Sequence, residues 1–390
     1  MDPILTEEQL AIRDLARTIA EEKVKPVRAK YDEAGTFPWD IVKELAKVDL
    51  FRVFIPAQYE GMVESGYGIT NMCLATEELS KACAGIALAF AGTALGTFPI
   101  LLFGSDAQKQ KYLPQIASGS RLAAFGLTEP MAGSDAGAQR TTARKDGDDY
   151  VLNGTKVFIT NGGEADIYTT VALTDPKKGA RGASCFIIEK GTPGFTFGKT
   201  EHKMGIRASA TRELVFEDAR VPKENLLGRE GQGFVVAMKT FDVSRPGVAA
   251  QALGIAEGAL EEALRYAHQR KQFGQSIVNF QGLQWMLADM ATQVEAAKAL
   301  IYSVAARVDA GDMRDVGSLS AMAKMYASDV AMKVTTDAVQ ILGGYGYMSD
   351  YPVEKMMRDA KITQIYEGTN QIQRNVIGSW LAKEAARLAR

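Results

Sequence analysis

Between Lys81 and Asp106 the chain carries no charged side chain, and a stretch of that length has two physical homes, a lipid bilayer or a protein interior. Its composition chooses between them. Gly85, Ala87, Ala89, Ala91, Gly92, Thr93, Ala94, Gly96 and Thr97 are small, Pro99 interrupts the far end, and basic flanking is present on one side only. Small side chains let neighbouring backbones approach closely, so the segment reads as a buried, closely packed helix. Such a helix needs other elements to cover it. At 390 residues the chain is long enough to supply them as two or three packed domains.

The sequence before this segment is helical in pattern. Thr6 followed by Gln9 makes a capping box, and Ala11, Leu15, Ala16 and Ile19 form one apolar stripe that Pro26 closes. Further helices are expected at about Trp39 to Val48, Tyr67 to Lys81 and Asp106 to Ala117. Near Leu122 the pattern changes to short β-rich runs. Tyr150-Val151-Leu152 and Lys156 to Thr160 flank Asn153-Gly154, the strongest short-range hairpin signal, because both residues tolerate positive φ. Strands are also expected at Ile167 to Leu173, Cys185 to Glu189 and Glu213 to Phe216. From about Phe234 long helical patterns return, at Val235 to His268, Phe280 to Asp309, Leu319 to Leu342 and from Thr369 onward, which suggests a four-helix bundle. The expected class is α+β, mainly α: an N-terminal helical domain over 1–122, a middle antiparallel, barrel-like β domain over 123–234, and a C-terminal helical bundle over 235–390. With no internal repeat and no low-complexity linker, the three are expected to pack as one unit.

Charge and residue usage remove several kinds of chemistry. Lys and Arg total 45 against 47 Asp and Glu, a formal charge of -2, and no basic block tracks a phosphate backbone, so nucleic acid is not an expected partner. Cys73, Cys83 and Cys185 lack metal or redox spacing and read as small buried hydrophobes of a reducing compartment. His202 and His268 cannot build a histidine-rich metal site and leave few ways to form a serine-histidine triad. The opening Met1-Asp2-Pro3-Ile4-Leu5-Thr6-Glu7-Glu8 is acidic and lacks the basic-then-apolar order of a leader, so a cytoplasmic protein, or a mature protein of an organelle matrix, is expected.

Separated segments hold the unusual residues: Phe125-Gly126-Leu127-Thr128-Glu129-Pro130-Met131-Ala132-Gly133-Ser134-Asp135, followed by Lys156-Val157-Phe158-Ile159-Thr160-Asn161-Gly162-Gly163, then Arg270-Lys271-Gln272-Phe273-Gly274, Gln340-Ile341-Leu342-Gly343-Gly344-Tyr345-Gly346-Tyr347, and Ile365-Tyr366-Glu367-Gly368-Thr369-Asn370-Gln371-Ile372-Gln373-Arg374. In this order they resemble the acyl-CoA dehydrogenase family, of the short- or medium-chain, butyryl-CoA dehydrogenase-like kind, and the likeness runs from about Leu5 to about Leu381.

The resemblance implies FAD-dependent α,β-dehydrogenation of an acyl-CoA thioester to the 2-enoyl-CoA, with flavin N5 accepting the hydride and electrons passing to an electron-transferring flavoprotein. Side chains offer a base for the α proton but no hydride acceptor, which is why a redox cofactor is required. The family's base maps onto Glu367, provided that desolvation raises its pKa. Some relatives carry the base at the position of Ser244, and serine cannot do that work unaided. Tyr366 and Gly368 flank the base as substrate contacts. The resemblance puts Phe125, Leu127, Thr128, Gly133, Ser134, Phe158, Ile159 and Thr160 against the cofactor, Thr128 at the pyrimidine end and Thr160 at N5. Phe158 stands where some relatives carry tryptophan and still offers an aromatic face. Arg270, Phe273, Gln340, Gly343 and Gly344 resemble the parts that hold the adenosine diphosphate half of the cofactor from a neighbouring subunit, the arginine fork suiting pyrophosphate. Gln281, Thr369 and Gln371 are further cofactor contacts. Ser134 is expected near pantetheine, and Asp242 and Arg245 near the adenine and phosphates of coenzyme A. A cofactor held in part by a neighbour requires a dimer, and the resemblance implies a homotetramer, a dimer of dimers. Ala91, Gly92, Thr93 and Gly96 resemble the acyl-pocket floor and are small, which suits branched or alicyclic groups. Alternatives on the same fold are an acyl-CoA oxidase, an enoyl-CoA reductase and a non-catalytic CoA-ester-binding relative. Chemistry that cleaves a bond other than C–H would not need Glu367.

Overall fold

The computed structural model describes residues 5–389; Met1 to Ile4, which carry part of the leader argument, lie outside them. The N-terminal part contains α1 (Glu7–Ile19), α2 (Arg28–Ala34), α3 (Trp39–Lys47), α4 (Ile69–Phe103) and α5 (Asp106–Ala117). Thr6 forms the expected capping box, accepting from the Gln9 N–H while the Gln9 side chain accepts from Thr6. The charge-free segment is buried, but it is not a separate helix. It continues the one before it, and the join is a kink at Cys83, whose φ of -163° and ψ of 106° are extended. Asp309, at the end of a C-terminal helix, closes the start of α4 by accepting from the Ile69 and Thr70 N–H groups at 2.7 and 2.8 Å.

The middle part contains β1 (Ala123–Gly126), β2 (Thr142–Asp146), β3 (Asp149–Thr160), β4 (Ile167–Leu173), β5 (Ala183–Glu189), β6 (Phe195–Thr200), β7 (Thr211–Pro222) and β8 (Leu226–Leu227). The sheet runs β6-β7-β3-β2-β4-β5-β8, with β1 beside β4. Most pairs are antiparallel, but β1 and β2 pair with β4 in parallel, so the middle is mixed rather than wholly antiparallel. Asn153-Gly154 is not a hairpin turn. Both residues lie inside the continuous strand β3, at a bulge against β7, where the Asn153 side chain bonds both the Asp218 carboxylate and its N–H, at 3.0 and 2.9 Å. A Cβ on Gly154 would come within 2.5 to 2.8 Å of Thr141, which is why the bulge takes glycine. The real two-residue turn is Gly147-Asp148, between β2 and β3. β1, β2, β6 and β8 are absent from the expected strands because each is short and none alternates cleanly.

The C-terminal part contains α6 (Gly233–Gln269), α7 (Gln281–Asp309), α8 (Val316–Leu342), α9 (Val353–Thr363) and α10 (Asn370–Leu388). The four long helices match the expected set, and the shorter α9 was missed. α4 packs against α6, and α6 against α8, so the charge-free helix is covered on one side by the bundle and on another by β1. Gly96 sets the second contact: a Cβ there would lie 2.4 Å from the Ala124 nitrogen and 2.7 Å from the Ala123 carbonyl carbon. Backbone cannot yield as a flexible side chain can. Gly96→Ala is therefore expected to lower unfolding free energy by at least about 2 kcal/mol in a denaturant titration, although alanine is the better helix former.

Candidate active site

Glu367 lies in the elbow between α9 and α10, and its φ of 50° is followed by 93° at Gly368. A non-glycine residue in the left-handed region costs on the order of 1–3 kcal/mol and persists where its surroundings hold it. Here they do. Arg245 Nε donates to the Glu367 carbonyl at 3.2 Å, and Gln373 Nε2 reaches the Glu367 and Gly368 carbonyls at 3.0 and 2.7 Å. Lys324 Nζ, from α8, donates to the Gly368 carbonyl at 2.8 Å. Thr369 caps α10 by accepting from the Ile372 N–H at 3.3 Å.

The Glu367 carboxylate takes one strong hydrogen bond, from Ser244 Oγ to Oε2 at 2.6 Å. The serine at the position of the alternative base is therefore a donor to Glu367. Burial pushes the Glu367 carboxyl above the ordinary carboxylate range, and the Ser244 hydroxyl, Arg245 and Lys324 pull it partly back. A carboxylate raised in this way holds a proton more readily than an exposed one.

Glu367 and Tyr366 line a cleft of about 850 Å³, including its open mouth. Its walls bring together the expected Phe125, Leu127, Thr128, Phe158, Ile159 and Thr160, with Met72, Leu88, Leu95 and Phe98 supplying apolar surface from α4. Ala91 and Gly92 line it, but Thr93 and Gly96 do not: Thr93 is buried in bonds to the Ala89 carbonyl and the Asn161 amide, and Gly96 packs on β1. In its wall the Tyr366 hydroxyl donates to the Gln251 side chain, whose amide nitrogen donates to the Ala84 carbonyl at 3.3 Å.

The residues facing this space suit a planar polar ring. Neither the Thr128 nor the Thr160 hydroxyl has a partner within the protein among the described residues, although both sit at the cavity wall. Phe158 is 63% exposed and held at a φ of 61°, so an aromatic face is presented rather than buried. Phe158, Thr160 and Tyr366 also border an adjoining cleft of about 870 Å³ formed with the Glu201 to Ile206 segment and α9. Sequence reasoning missed that segment. Its Ile206 has a φ of 46°, a strained value for a β-branched residue, and the Asp359 carboxylate accepts its N–H.

Arg270, Gly343 and Gly344 line a separate cavity of about 890 Å³ with Tyr266, Tyr345 and Met348, and it shares no lining residue with the cleft at Glu367. Gln340 lies exposed on the last turn of α8, Gln281 is exposed at the start of α7, and Gln371 is exposed in the first turn of α10. The Phe273 ring is 93% exposed, edge-on to Phe280. Gly133 and Ser134 are on an exposed loop beyond the cleft wall. Asp242 pairs with Lys239 at 3.1 Å outside the cleft. Arg245 departs most from expectation: it is buried beneath the elbow with its Nε on the Glu367 carbonyl, and Phe241 faces its guanidinium, rather than standing free for an adenine or phosphate.

Two buried cations that hold backbone at the site, at Leu127 and Gly368, also escaped the sequence reading. Lys156 is 0% exposed, and its Nζ donates to Glu129 at 2.7 Å, Gln139 at 2.9 Å and the Leu127 carbonyl at 3.1 Å, so it ties down the turn that carries Thr128. Burial lowers Lys156, with Glu129 opposing; burial alone would raise Glu129, but Lys156 and the Thr141 and Arg140 N–H groups outweigh it. Both residues stand inside the quoted motifs. A lysine opening an otherwise apolar strand was the available signal. Lys324 is the other, the one charge between Asp315 and Asp329 along α8.

With this geometry in hand, comparison with known proteins gives concordant results. The family models described as the N-terminal, middle and C-terminal domains of acyl-CoA dehydrogenase match residues 6–120, 124–219 and 231–382. The short-chain specific acyl-CoA dehydrogenase of Clostridium acetobutylicum is 52% identical over 379 residues, 97% of this chain and 98% of the relative. Among solved structures, butyryl-CoA dehydrogenase from Megasphaera elsdenii is 49% identical with a TM-score of 0.95, covering 98% of this chain and 100% of that one. A chain in the structure named for the electron transferring flavoprotein of Acidaminococcus fermentans is 52% identical with a TM-score of 0.94, covering 98% of this chain and 99% of that one.

Proposed function

The chain belongs to the acyl-CoA dehydrogenase family, and from that premise we propose that it oxidises a short acyl-CoA to the 2-enoyl-CoA with Glu367 as the base. It is an oxidoreductase acting on CH–CH groups and takes FAD. FAD supplies the hydride acceptor that no side chain offers.

The observation that carries the assignment of the base is the Glu367 carboxyl at the wall of an apolar cleft, raised by burial and bonded, among the described residues, by Ser244 alone. A proton next to a thioester carbonyl is weakly acidic, and its removal is helped by a carboxylate stripped of water. In this reading the Cα–H bond breaks toward a Glu367 carboxylate oxygen, and the proton stays on that carboxyl until product leaves. Ser244 orients the carboxylate without taking the proton. The unpartnered Thr128 and Thr160 hydroxyls and the exposed Phe158 face would hold the flavin ring opposite. Support for a short acyl group comes from the hydrogen-bonded Tyr366 and Gln251 pair in the cleft wall and from Met72 packed against Gly247. Ala91 and Gly92 leave lateral room, so branched and alicyclic esters belong in the same proposal.

Electrons then pass to an electron-transferring flavoprotein, a partner supported by the match to the Acidaminococcus fermentans structure. The separate cavity at Arg270 suits the adenosine diphosphate half of a neighbouring subunit's cofactor, which requires at least a dimer, and family membership extends this to a homotetramer.

An anaerobic titration with acyl-CoA esters, followed at the oxidised-flavin absorbance, tests the function. Butyryl-CoA is expected to bleach the flavin fully, and octanoyl-CoA to do so at least about tenfold more slowly, since each excess methylene at a closed end costs about 1–3 kcal/mol. A yellow protein unbleached by every ester would overturn the proposal.

A further inference from the structure

Lys324 and Arg245 are buried cations, yet among the described residues neither forms a salt bridge to a carboxylate. Burying an ammonium or guanidinium without a counterion is costly, so two of them side by side require a compensating partner. Both are aimed at backbone. Lys324 Nζ donates to the Gly368 carbonyl at 2.8 Å and to Asn370 Oδ1 at 3.0 Å, while Arg245 donates to the Glu367 carbonyl at 3.2 Å. Those two carbonyls belong to the consecutive left-handed residues of the elbow.

We propose that Lys324 is a positioning residue for Glu367: it clamps the Gly368 carbonyl to fix the elbow, and it gives the Glu367 carboxylate a buried counterion that never touches it. The proposal rests on Glu367 being the base. A lysine in direct contact would pin the carboxylate and depress its proton affinity, both harmful to a base. Acting through the carbonyl, Lys324 offsets part of the desolvation of the carboxylate and leaves its cleft side free. The charged and titratable groups around the elbow are Asp242 and Arg245 on α6, Lys324 and Asp329 on α8, Arg374 on α10 and the neighbouring Tyr366; Lys324 is 0% exposed, and Arg374 and Asp329 pair with one another at 3.2 Å. Ser328 and Asn370 complete the lysine's surroundings, Ser328 Oγ lying 3.2 Å from Asn370 Oδ1. Burial lowers Lys324 to about 7, with Glu367 opposing the fall and Arg245 adding to it, so its charge responds to pH in the working range.

The test is the pH profile of kcat/KM for butyryl-CoA in holoenzyme carrying Lys324→Gln, a shorter neutral donor, or Lys324→Met, which has no donor. A cation favours the ionised carboxylate, so its loss raises the Glu367 pKa. The acid limb is expected to move to higher pH by about one unit in both variants. Lys324→Met is also expected to lose about tenfold in plateau kcat, with KM changed less than threefold. Asn370→Asp keeps the lysine, opposes its charge from 3.0 Å, and is expected to move the limb the same way if Lys324→Met does not fold. An unmoved acid limb in folded, flavin-replete variants overturns the proposal. If Glu367→Gln still allows bleaching by substrate, the assignment of the base has failed instead; if it abolishes bleaching and the Lys324 limbs stay in place, only the role of Lys324 is lost.

Discussion

Glu367→Gln holoenzyme is expected to bind acyl-CoA and stay yellow, with the rate of flavin bleaching reduced by at least about 10²–10⁴-fold, the usual worth of a positioned base. Glutamine keeps the size of the side chain and the left-handed backbone clamps, since Arg245, Gln373 and Lys324 all hold carbonyls rather than the carboxylate. The fold should therefore survive, and a melting temperature within a few degrees of the parent is part of the prediction. Bleaching at the parent rate would show that the proton leaves to another group. Ser244 is the one to examine, because its hydroxyl sits 2.6 Å from the same carboxylate.

The direction of the Glu367 shift fixes the pH behaviour of the parent enzyme. The base must be ionised to act, and burial raises its pKa above the ordinary carboxylate value. Activity should fall on the acid side at a pH above the usual range of about 4.3. Stopped-flow bleaching across pH reads the limb directly.

Much of the fold could be read from local pattern, and the errors share a cause. Capping at Thr6, the extent of β4 and the long C-terminal helices are specified by neighbours in sequence, so propensity and periodicity reach them. Asn153-Gly154 has hairpin chemistry, but β7 continues past it and converts the turn into a bulge, a decision made by a strand more than sixty residues away. The same limit applies at the site. Glu367, Thr128 and Thr160 stand in contiguous motifs, and the fold brings all three to one cleft. The bond from Arg245 to the Glu367 carbonyl could not be read, since only the folded chain brings α6 beneath the elbow. Lys324 and Lys156 were missed, because a buried lysine is recognised by the carbonyls and carboxylate around it and not by its own sequence neighbours.

Lys156→Met is expected to cost about 3–5 kcal/mol of unfolding free energy, the penalty for removing one partner of a buried ion pair, measured by denaturant titration of the flavin-free protein. Methionine fills the volume but leaves Glu129 buried with the Arg140 and Thr141 N–H groups, at 2.6 and 3.0 Å, as its remaining donors. The Leu127 carbonyl and Gln139 lose their donor too. Since Leu127 and Thr128 line the cleft, the same variant should retain flavin less well, a consequence that a purely structural pair elsewhere in the sheet would not produce. Adding Glu129→Gln to Lys156→Met should recover part of the loss, because the uncompensated charge is gone; full additivity of the two losses would argue that the pair is not coupled. The pH dependence has a definite sign. Glu129 is lowered in the folded state, so the stability that it contributes is complete above its unfolded pKa and disappears as pH falls through the lower folded value. The gap between parent and Lys156→Met should therefore narrow toward acid, where Glu129 is protonated and no longer needs the lysine.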